Sequence, residues 1–204
     1  MVFQSVVFSP NKALQPTQKA ARLSFNRSLY NMIQIRQIKP DEWTLLKQVR
    51  LTALTDAPKA FSRTLDEDEQ ISDSTWQERA MGHTSFTAVA IDADDPVGIA
   101  VGLPDSEDEA QAYLVSMWVA PAYRGTGIAS SLVELVESWA KGRGAETLSL
   151  AVTQSNARAD AFYRKCGFET HHGIPLEHPA ISDCGSVLTK KLKQLSIKKL
   201  GVKS

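Results

Sequence analysis

The chain has 204 residues, of which 43% are hydrophobic and 23% are charged. This composition is typical of a soluble globular protein, and a chain of this length can bury a core without a metal or disulfide staple. No apolar run reaches the ~18 residues that a membrane-spanning helix needs, so we expect no membrane partner.

The net charge of zero conceals a separation of charge along the chain. Residues 1–31 and 193–204 contain Lys and Arg but no acid, so residues 32–192 hold all 23 acidic residues and a formal charge of −8. An acidic domain repels nucleic acid, which makes a nucleic-acid-binding protein that acts through basic ends a weak interpretation. The acids either favour a cationic small molecule or only solvate the surface, and both interpretations stay open.

Three segments are expected: an N-terminal extension (1–31), one folded domain (32–192) and a basic C-terminal tail (193–204). The extension has no secretory layout. It is interpreted as a transit-like or disordered arm, or as sequence upstream of a true start at Met32. Cys166 and Cys184 lack metal-ligand spacing and are expected to be reduced thiols of a cytoplasmic protein.

The periodicity of apolar residues predicts an alternation of strands and helices. In chain order, the predicted elements are a strand at 33–38, helices at 41–57 and 76–81, strands at 85–91, 97–103 and 112–119, a helix at 128–141, a strand at 147–152, a helix from 156 to 166, and strands from 168 and at 186–192. The expected helix caps are Asp41, then Ser74 or Thr75, then Ser155 or Asn156. An acidic stretch, 66–69, is expected between the first two helices. This order predicts an α/β fold with a partly antiparallel sheet.

The segment RGTGIA, residues 124–129, connects a strand that ends at Val119 to the best helix of the chain. Backbone N–H groups at a helix start carry partial positive charge, and glycine lets the backbone approach an anion closely. The segment therefore predicts a phosphate or pyrophosphate cradle, unless the turn serves only to link strand and helix. A Walker loop would need a Gly-Lys-Ser/Thr triplet, and a dinucleotide fold would need a third glycine where Ser130 stands.

In these residues the chain resembles the GNAT superfamily of N-acetyltransferases. The family signature (Arg or Gln, two residues, Gly, one residue, Gly or Ala) is matched by Arg124, Gly127 and Ala129. A second block matches from Asn156 to Phe168, and the resemblance covers about residues 33–192. Further matches lie in the first strand and helices, at Arg36, Asp41, Arg50, Leu51, Leu54, Ala60, Phe61 and Thr64.

The resemblance implies a GNAT-like acyl-CoA N-acyltransferase fold, with a mostly antiparallel sheet that is splayed between its fourth and fifth strands. It implies acetyl-CoA as co-substrate: the fourth strand would pair with the pantetheine arm, and the glycine turn would hold the pyrophosphate. Asn156 would bond the pantetheine arm or a nearby backbone group. The expected cofactor-binding residues are Met117, Trp118, Val119, Arg124, Gly125, Thr126, Gly127, Ile128, Ala129 and Asn156.

The resemblance also implies that Tyr163 lies near the thioester sulfur and protonates the departing thiolate, whereas periodicity alone favours a core aromatic. Many relatives carry a Glu, as the general base, at the position of Tyr113. The base is therefore expected to be a water chain or a loop acid such as Glu67 or Glu109. The expected substrate residues are Phe61, Glu67 and His171, and Trp76 and Trp118 are either pocket or core residues.

No metal is expected. His171 and His172 are adjacent and His178 follows in a loop, but their spacing does not supply a third metal ligand. We therefore expect an enzyme that transfers an acetyl group from acetyl-CoA to a small-molecule or peptide amine by direct attack on the thioester. It would act as a monomer or homodimer, without nucleic acid or membrane. The alternative is a non-catalytic acyl-CoA-binding or regulatory module on the same fold.

Overall fold

The computed structural model describes residues 33–172 and 185–193. The expected N-terminal extension lies outside these residues, as do Cys184, His178 and the C-terminal tail beyond Lys193. The described elements are β1 (Ile33–Gln37), α1 (Trp43–Asp56), α2 (Leu65–Glu69), α3 (Asp73–Met81), β2 (Phe86–Asp92), β3 (Asp95–Pro104), β4 (Gln111–Val119), α4 (Ile128–Gly142), β5 (Thr147–Val152), α5 (Ala157–Lys165), β6 (Glu169–Thr170) and β7 (Ser186–Lys191).

Seven strands form one sheet in the order β1-β2-β3-β4-β5-β7-β6. The β2–β3, β3–β4, β5–β7 and β6–β7 pairs are antiparallel, and the β4–β5 pair is parallel. β4 and β5 pair only where residues 111–113 lie opposite residues 147–149, although both strands continue further. The sheet is thus mostly antiparallel and splayed between its fourth and fifth strands, which confirms the expected fold.

A bulge interrupts β4 just beyond this short parallel pairing. Ile99 of β3 pairs with Trp118 and Val101 pairs with Val115, so β4 has one more residue than β3 over this interval. Ser116 lies within the bulge with a φ of 54°, in the left-handed region that residues other than glycine seldom adopt. The bulge leaves Val115 and Trp118 on the same face of the sheet.

Helix α4 packs on one face of the sheet through the apolar stripe that its sequence predicts. Its buried side chains include Ile128, Leu132 and Val136. The contact is close at Gly102 of β3, where an added Cβ would lie 2.6 Å from an atom of the Trp139 ring. Glycine at this position therefore makes room for the indole.

Helices α1 and α3 cover the opposite face of the sheet. A core cluster forms between them and the strands, and its members include Val49, Ala53, Trp76, Val89, Ile99 and Trp118. Among the described helices, none is both long and apolar enough to cross a bilayer.

The predicted caps of the first two helices were wrong. α1 begins after Glu42 rather than Asp41, and the Glu42 carboxylate accepts hydrogen bonds from Arg36 at 2.7 Å instead of capping the helix. A bidentate hydrogen bond between a guanidinium and a carboxylate is stronger than a single hydrogen bond from a backbone N–H at a helix start. α3 begins one turn earlier than expected, because Ser72 accepts from the backbone N–H of Thr75.

The acidic stretch expected between these helices is itself the short helix α2. Thr64 and Glu67 form a reciprocal capping box at its start. Five residues are too few for an apolar period to be recognised, so the capping box was the only sequence signal of this helix.

Candidate active site

The site centres on the gap between β4 and β5. Beyond the Tyr113–Ser149 pair, β4 continues to Val119 and β5 continues to Val152 with no pairing between the two strands. Backbone N–H and C=O groups along such an edge need partners from another source. An extended ligand with amide groups can supply them by lying along β4 as an added strand does.

The turn that follows β4 presents open backbone at the start of α4. Gly125 and Gly127 have φ values of 82° and 99°, and no atom lies within 4 Å of a Cβ placed on Gly125. Gly127 is the N-cap of α4 and supplies no side-chain cap, so the N–H groups of Ile128 and Ala129 are left without a helical partner. This geometry suits phosphate oxygens.

Asp56, at the end of α1, anchors this turn. Its Oδ2 accepts a hydrogen bond from Trp118 Nε1 at 2.9 Å and another from Arg124 Nη2. Arg124 Nε also donates to the carbonyl oxygen of Val119 at 2.8 Å, and Thr126 Oγ1 donates to the carbonyl of Tyr123 at 2.6 Å. Arg124 thus links the turn to the end of α1 and to the end of β4. Sequence patterns did not single out Asp56, because nothing local distinguishes it from a surface acid.

Tyr163 is buried in α5, and its ring meets the ring of Phe168 edge-on with centroids 5.7 Å apart. Burial, and to a smaller extent Cys166, raises the pKa of the Tyr163 phenol above its ordinary value, so the hydroxyl stays protonated at neutral pH. Burial raises the pKa of Cys166, at the end of the same helix, and nearby Ser130, in the first turn of α4, opposes that rise. Tyr163 therefore lies on the helix that borders the glycine turn.

Asn156 caps α5, since its Oδ1 accepts from the backbone N–H of Ala159 at 3.1 Å. The resemblance implied that Asn156 bonds either the pantetheine arm or a nearby backbone group, and this cap is a bond of the second kind. A bond to the pantetheine arm stays a prediction.

A cavity of about 350 Å³ lies on the face of the sheet that carries α1 and α3. Its walls include Ser116 of β4 and Ala151 of β5, so it reaches the gap between the two strands. Of the three aromatic candidates, Phe61 and Trp76 line the cavity. Trp118 does not, because its side chain is buried in the core beneath α1, where Asp56 fixes its indole.

An ion network forms part of this cavity wall. Asp68 is fully buried and accepts from Arg50 Nε at 2.7 Å and from Arg63 Nε at 2.5 Å. Arg50 Nη1 also donates to Ser116 Oγ at 3.0 Å, which ties the bulge of β4 to α1. Burial raises the pKa of Asp68, but the hydrogen bonds from both arginines outweigh it and hold that pKa below its ordinary value.

The structure does not bring the candidate acids to this cavity. The carboxylate of Glu67 is exposed and bonds the backbone N–H of Thr64 at 2.7 Å, and this bond lowers its pKa. Glu109 lines a separate depression at the other end of β4. Tyr113, at the position where relatives carry Glu, donates its hydroxyl to Asp105 at 2.6 Å.

His171 lies beside β7, where its backbone N–H donates to the carbonyl of Val187 at 2.9 Å. Its imidazole Nδ1 is 3.4 Å from Thr189 Oγ1, and the residue is not among those lining the cavity. Within 33–172 and 185–193, no three His, Cys, Asp or Glu side chains are grouped to hold a metal ion.

The profile of the Acetyltransferase (GNAT) family matches residues 47–168. The match covers more than half of the chain and includes the glycine turn, both strands of the gap and Tyr163. The chain belongs to the GNAT acetyltransferase family.

Sequence relatives and a solved structure agree with this assignment. An uncharacterised N-acetyltransferase of Mycobacterium tuberculosis is 39% identical over 62 residues, which are 30% of this GNAT chain and only 40% of the relative's length. Aminoglycoside N(6')-acetyltransferase type 1 of Stenotrophomonas maltophilia is 26% identical over 157 residues, with 72% of this chain and 95% of that protein covered. The crystal structure of PaiA N-acetyltransferase from Thermoplasma acidophilum in complex with coenzyme A shares the fold, with a TM-score of 0.57, 17% identity, and coverage of 78% and 98% of the two chains.

Proposed function

We propose that this GNAT protein transfers an acetyl group from acetyl-CoA to an amine. The observation that carries the proposal is the gap between β4 and β5, which has the glycine turn at its edge and the cavity on one face. Because α4 packs on the opposite face, an extended arm that crosses the gap would join an anion at the start of α4 to an acceptor in the cavity. A direct transfer between two bound substrates needs this arrangement.

The residues present fit coenzyme A as the carrier of the acetyl group. The open space at Gly125 and the first N–H groups of α4 suit the pyrophosphate. Backbone groups from Met117 to Val119 suit the amides of the pantetheine arm. A GNAT protein of the same fold has been solved with coenzyme A bound.

Coenzyme A supplies an activated thioester, and the protein supplies position and proton transfer. The amine nitrogen forms a bond to the carbonyl carbon, the carbon–sulfur bond breaks, the amine loses a proton and the sulfur gains one. Backbone N–H groups near the bulge of β4 would stabilise the negative charge on the carbonyl oxygen. We assign Tyr163 as the donor to the sulfur.

A water chain is the proposed acceptor of the amine proton. Among the described residues that line the cavity there is no Asp or Glu, and Glu67 and Glu109 lie elsewhere. Ser116 Oγ lies at the meeting point of the cavity and the gap, where it can orient such a water.

The test is a thiol-release assay with acetyl-CoA across a panel of amino acids, amino-acid amides, diamines, aminoglycosides and peptides. We expect amine-dependent thiol release with at least one class, and an acetylated product by mass spectrometry. If coenzyme A binds but no amine in the panel is acetylated, the alternative of a non-catalytic acyl-CoA-binding module is favoured.

A further inference from the structure

The charge lining the cavity is opposite in sign to the charge of the domain. Arg50, Arg63 and Arg79 line the cavity, whereas residues 32–192 carry a formal charge of −8. The carboxylate that faces these arginines is Asp68, and it already bonds two of them. The cluster of three guanidinium groups and one carboxylate therefore keeps an excess of positive charge.

Arg79 is the member of this cluster that lacks an anionic partner. Its guanidinium lies over the ring of Trp76, 4.9 Å from the ring centre. Within the described chain it forms no ion pair, since Asp68 bonds Arg50 and Arg63 instead. Burial lowers the pKa of Arg79; nearby Asp68 opposes this effect, and repulsion by Arg63 and Arg50 adds to it. An anion beside Arg79 would offset the cost of its burial and the repulsion from the two other arginines.

A second donor in the same wall also lacks a partner. Trp76 is only 1% exposed, and its indole Nε1 is buried without a hydrogen-bond acceptor in the part of the chain that the structure describes. Buried donors are nearly always paired in native proteins. The stacked Trp76–Arg79 pair thus places an unpaired N–H and an unpaired cation in one wall of the cavity.

We infer that the acceptor is a small amine that also carries an anionic oxygen group, a carboxylate or a phosphate, which Arg79 binds. The inference rests on the proposed acetyl transfer. The cavity extends from Arg79 to Ser116 at the gap, so an acceptor held by its anionic end presents its amine towards the thioester. A volume of about 350 Å³ fits a small molecule and is at the low end for a ligand site.

The inferred anionic acceptor differs in charge from aminoglycosides, after which one relative of the chain is named. Aminoglycosides and polyamines carry several positive charges, and like charges in a partly buried cavity repel strongly. We therefore expect neither class to be the preferred acceptor.

The first experiment compares acceptors that have the same number of carbon atoms in the chain but differ in charge. The pairs are amino acids with their carboxamides, phosphoethanolamine with ethanolamine, and 4-aminobutyrate with butylamine and putrescine. We expect the anionic member of at least one pair to have the higher kcat/KM by about tenfold or more, the usual effect of a charged hydrogen bond. The amino-acid and phosphoethanolamine arms decide between carboxylate and phosphate. Preference for the amides, butylamine or putrescine would overturn the inference.

The second experiment changes Arg79. Arg79→Gln should bring the anionic and neutral acceptors to within about threefold of each other, and Arg79→Glu should shift the preference towards putrescine, because the sign of the local charge is reversed. Arg143→Gln is the matched control, since Arg143 also lies over a tryptophan ring, 5.6 Å from the centre of Trp139, but outside the cavity. The control should keep the wild-type preference, and an unchanged preference in both Arg79 variants would refute the assignment.

A third measurement distinguishes failure of the inference from failure of the proposed function. Calorimetry of the coenzyme A complex compares the binding of each anionic compound with that of its neutral partner, in the wild type and in Arg79→Gln. Acetylation of neutral or cationic amines only would refute the inference and leave the function standing. If no amine is acetylated, the function fails, and binding without preference for the anionic member refutes the inference as well.

Discussion

Tyr163 owes its chemical character to its surroundings rather than to its position in the sequence. Burial raises the pKa of its phenol, so the proton remains in place over a wide pH range. A phenol of ordinary pKa is already a weaker acid than a thiol, and the raised pKa of Tyr163 widens this difference. Proton transfer to sulfur is therefore favourable only when it is coupled to cleavage of the carbon–sulfur bond.

Tyr163→Phe removes the hydroxyl of the proposed acid and keeps the ring that packs against Phe168. We expect kcat to fall about a hundredfold, the typical contribution of general acid catalysis, while coenzyme A affinity changes less than about twofold. Because the acid must be protonated and its pKa is raised, the wild type should not lose activity on the alkaline side until above about pH 10. Steady-state kinetics from pH 6 to 10 test both points. A variant with wild-type kcat would remove Tyr163 from the mechanism.

Asp68→Asn leaves Arg50 and Arg63 without their shared carboxylate. Removing one partner of a buried ion pair costs about 3 kcal/mol or more, and we expect a loss of this order in the free energy of unfolding at pH 7. The folded-state pKa of Asp68 is depressed, so its stabilisation is present above the ordinary pKa of about 4 and fades as pH falls through the folded value.

Urea unfolding at pH 7 and pH 3 measures this dependence. The difference between wild type and Asp68→Asn should shrink at the lower pH. Asp66→Asn, on the exposed side of the same short helix, is the control and should be nearly neutral at both. A difference that does not depend on pH would mean that the Asp68 carboxylate is not stabilised by its arginines.

At the scale of elements, β4 is the strand that assembles the site. Its first residues pair with β5, its bulge holds Ser116 against Arg50, and its last residue accepts a hydrogen bond from Arg124. The position of β4 depends on α4, which packs on the sheet where Gly102 makes room for Trp139. The packing of one helix thus helps to set the geometry of the gap.

Gly102→Ala tests this packing. The added methyl group would lie 2.6 Å from a ring atom of Trp139, so the ring or the strand must shift. Overpacking of this kind costs about 1–3 kcal/mol, and we expect a loss of that size in denaturant unfolding.

Gly142→Ala is the matched control for this substitution. A Cβ on Gly142 meets no atom within 4 Å, and the residue is helical, so alanine there should be neutral or stabilising by up to about 1 kcal/mol. Equal effects of the two substitutions would show that α4 does not depend on Gly102.

At the scale of the whole molecule, the charge of the domain and the charge of its cavity differ in sign. The formal charge of −8 describes the surface, where acids are solvated and screened. The electrostatic potential in the cavity depends on the few charged groups that line it, and among the described residues these are arginines. Net charge is therefore a poor guide to the kind of ligand that this cavity can hold.

Coenzyme A should stabilise the entire domain, because it would fill a gap between two strands of one sheet. At a ligand concentration of about 100 times Kd, linkage gives about 2.7 kcal/mol, which we expect to raise Tm by about 5 °C or more. Differential scanning fluorimetry measures the shift. Pantetheine lacks the pyrophosphate and should raise Tm by less at the same concentration. Equal shifts in Tm would argue against binding of the pyrophosphate at the glycine turn.

Local patterns in the sequence were enough to predict the family, the position of the glycine turn and the order of the elements, except for the short helix α2. These depend on local patterns: the apolar stripe of α4, the spacing of Arg124, Gly127 and Ala129, and the block from Asn156 to Phe168. Each pattern reports on residues a few positions apart, whose relation follows from the period of a helix or strand. The caps of α1 and α3 were wrong because several adjacent polar residues satisfy the same rule.

The contacts between distant side chains in and behind the cavity wall follow from the three-dimensional fold and not from any local pattern. Arg50, Asp68 and Ser116 belong to three different elements, and no local period relates them. The bond of Asp56 to Arg124 likewise joins residues 68 positions apart. Burial then sets what these groups can do, because a carboxylate or a guanidinium changes its pKa and its need for a partner when water is removed. A local pattern such as the apolar stripe of α4 predicts the burial of apolar residues, but it does not show which charged groups the assembled fold buries.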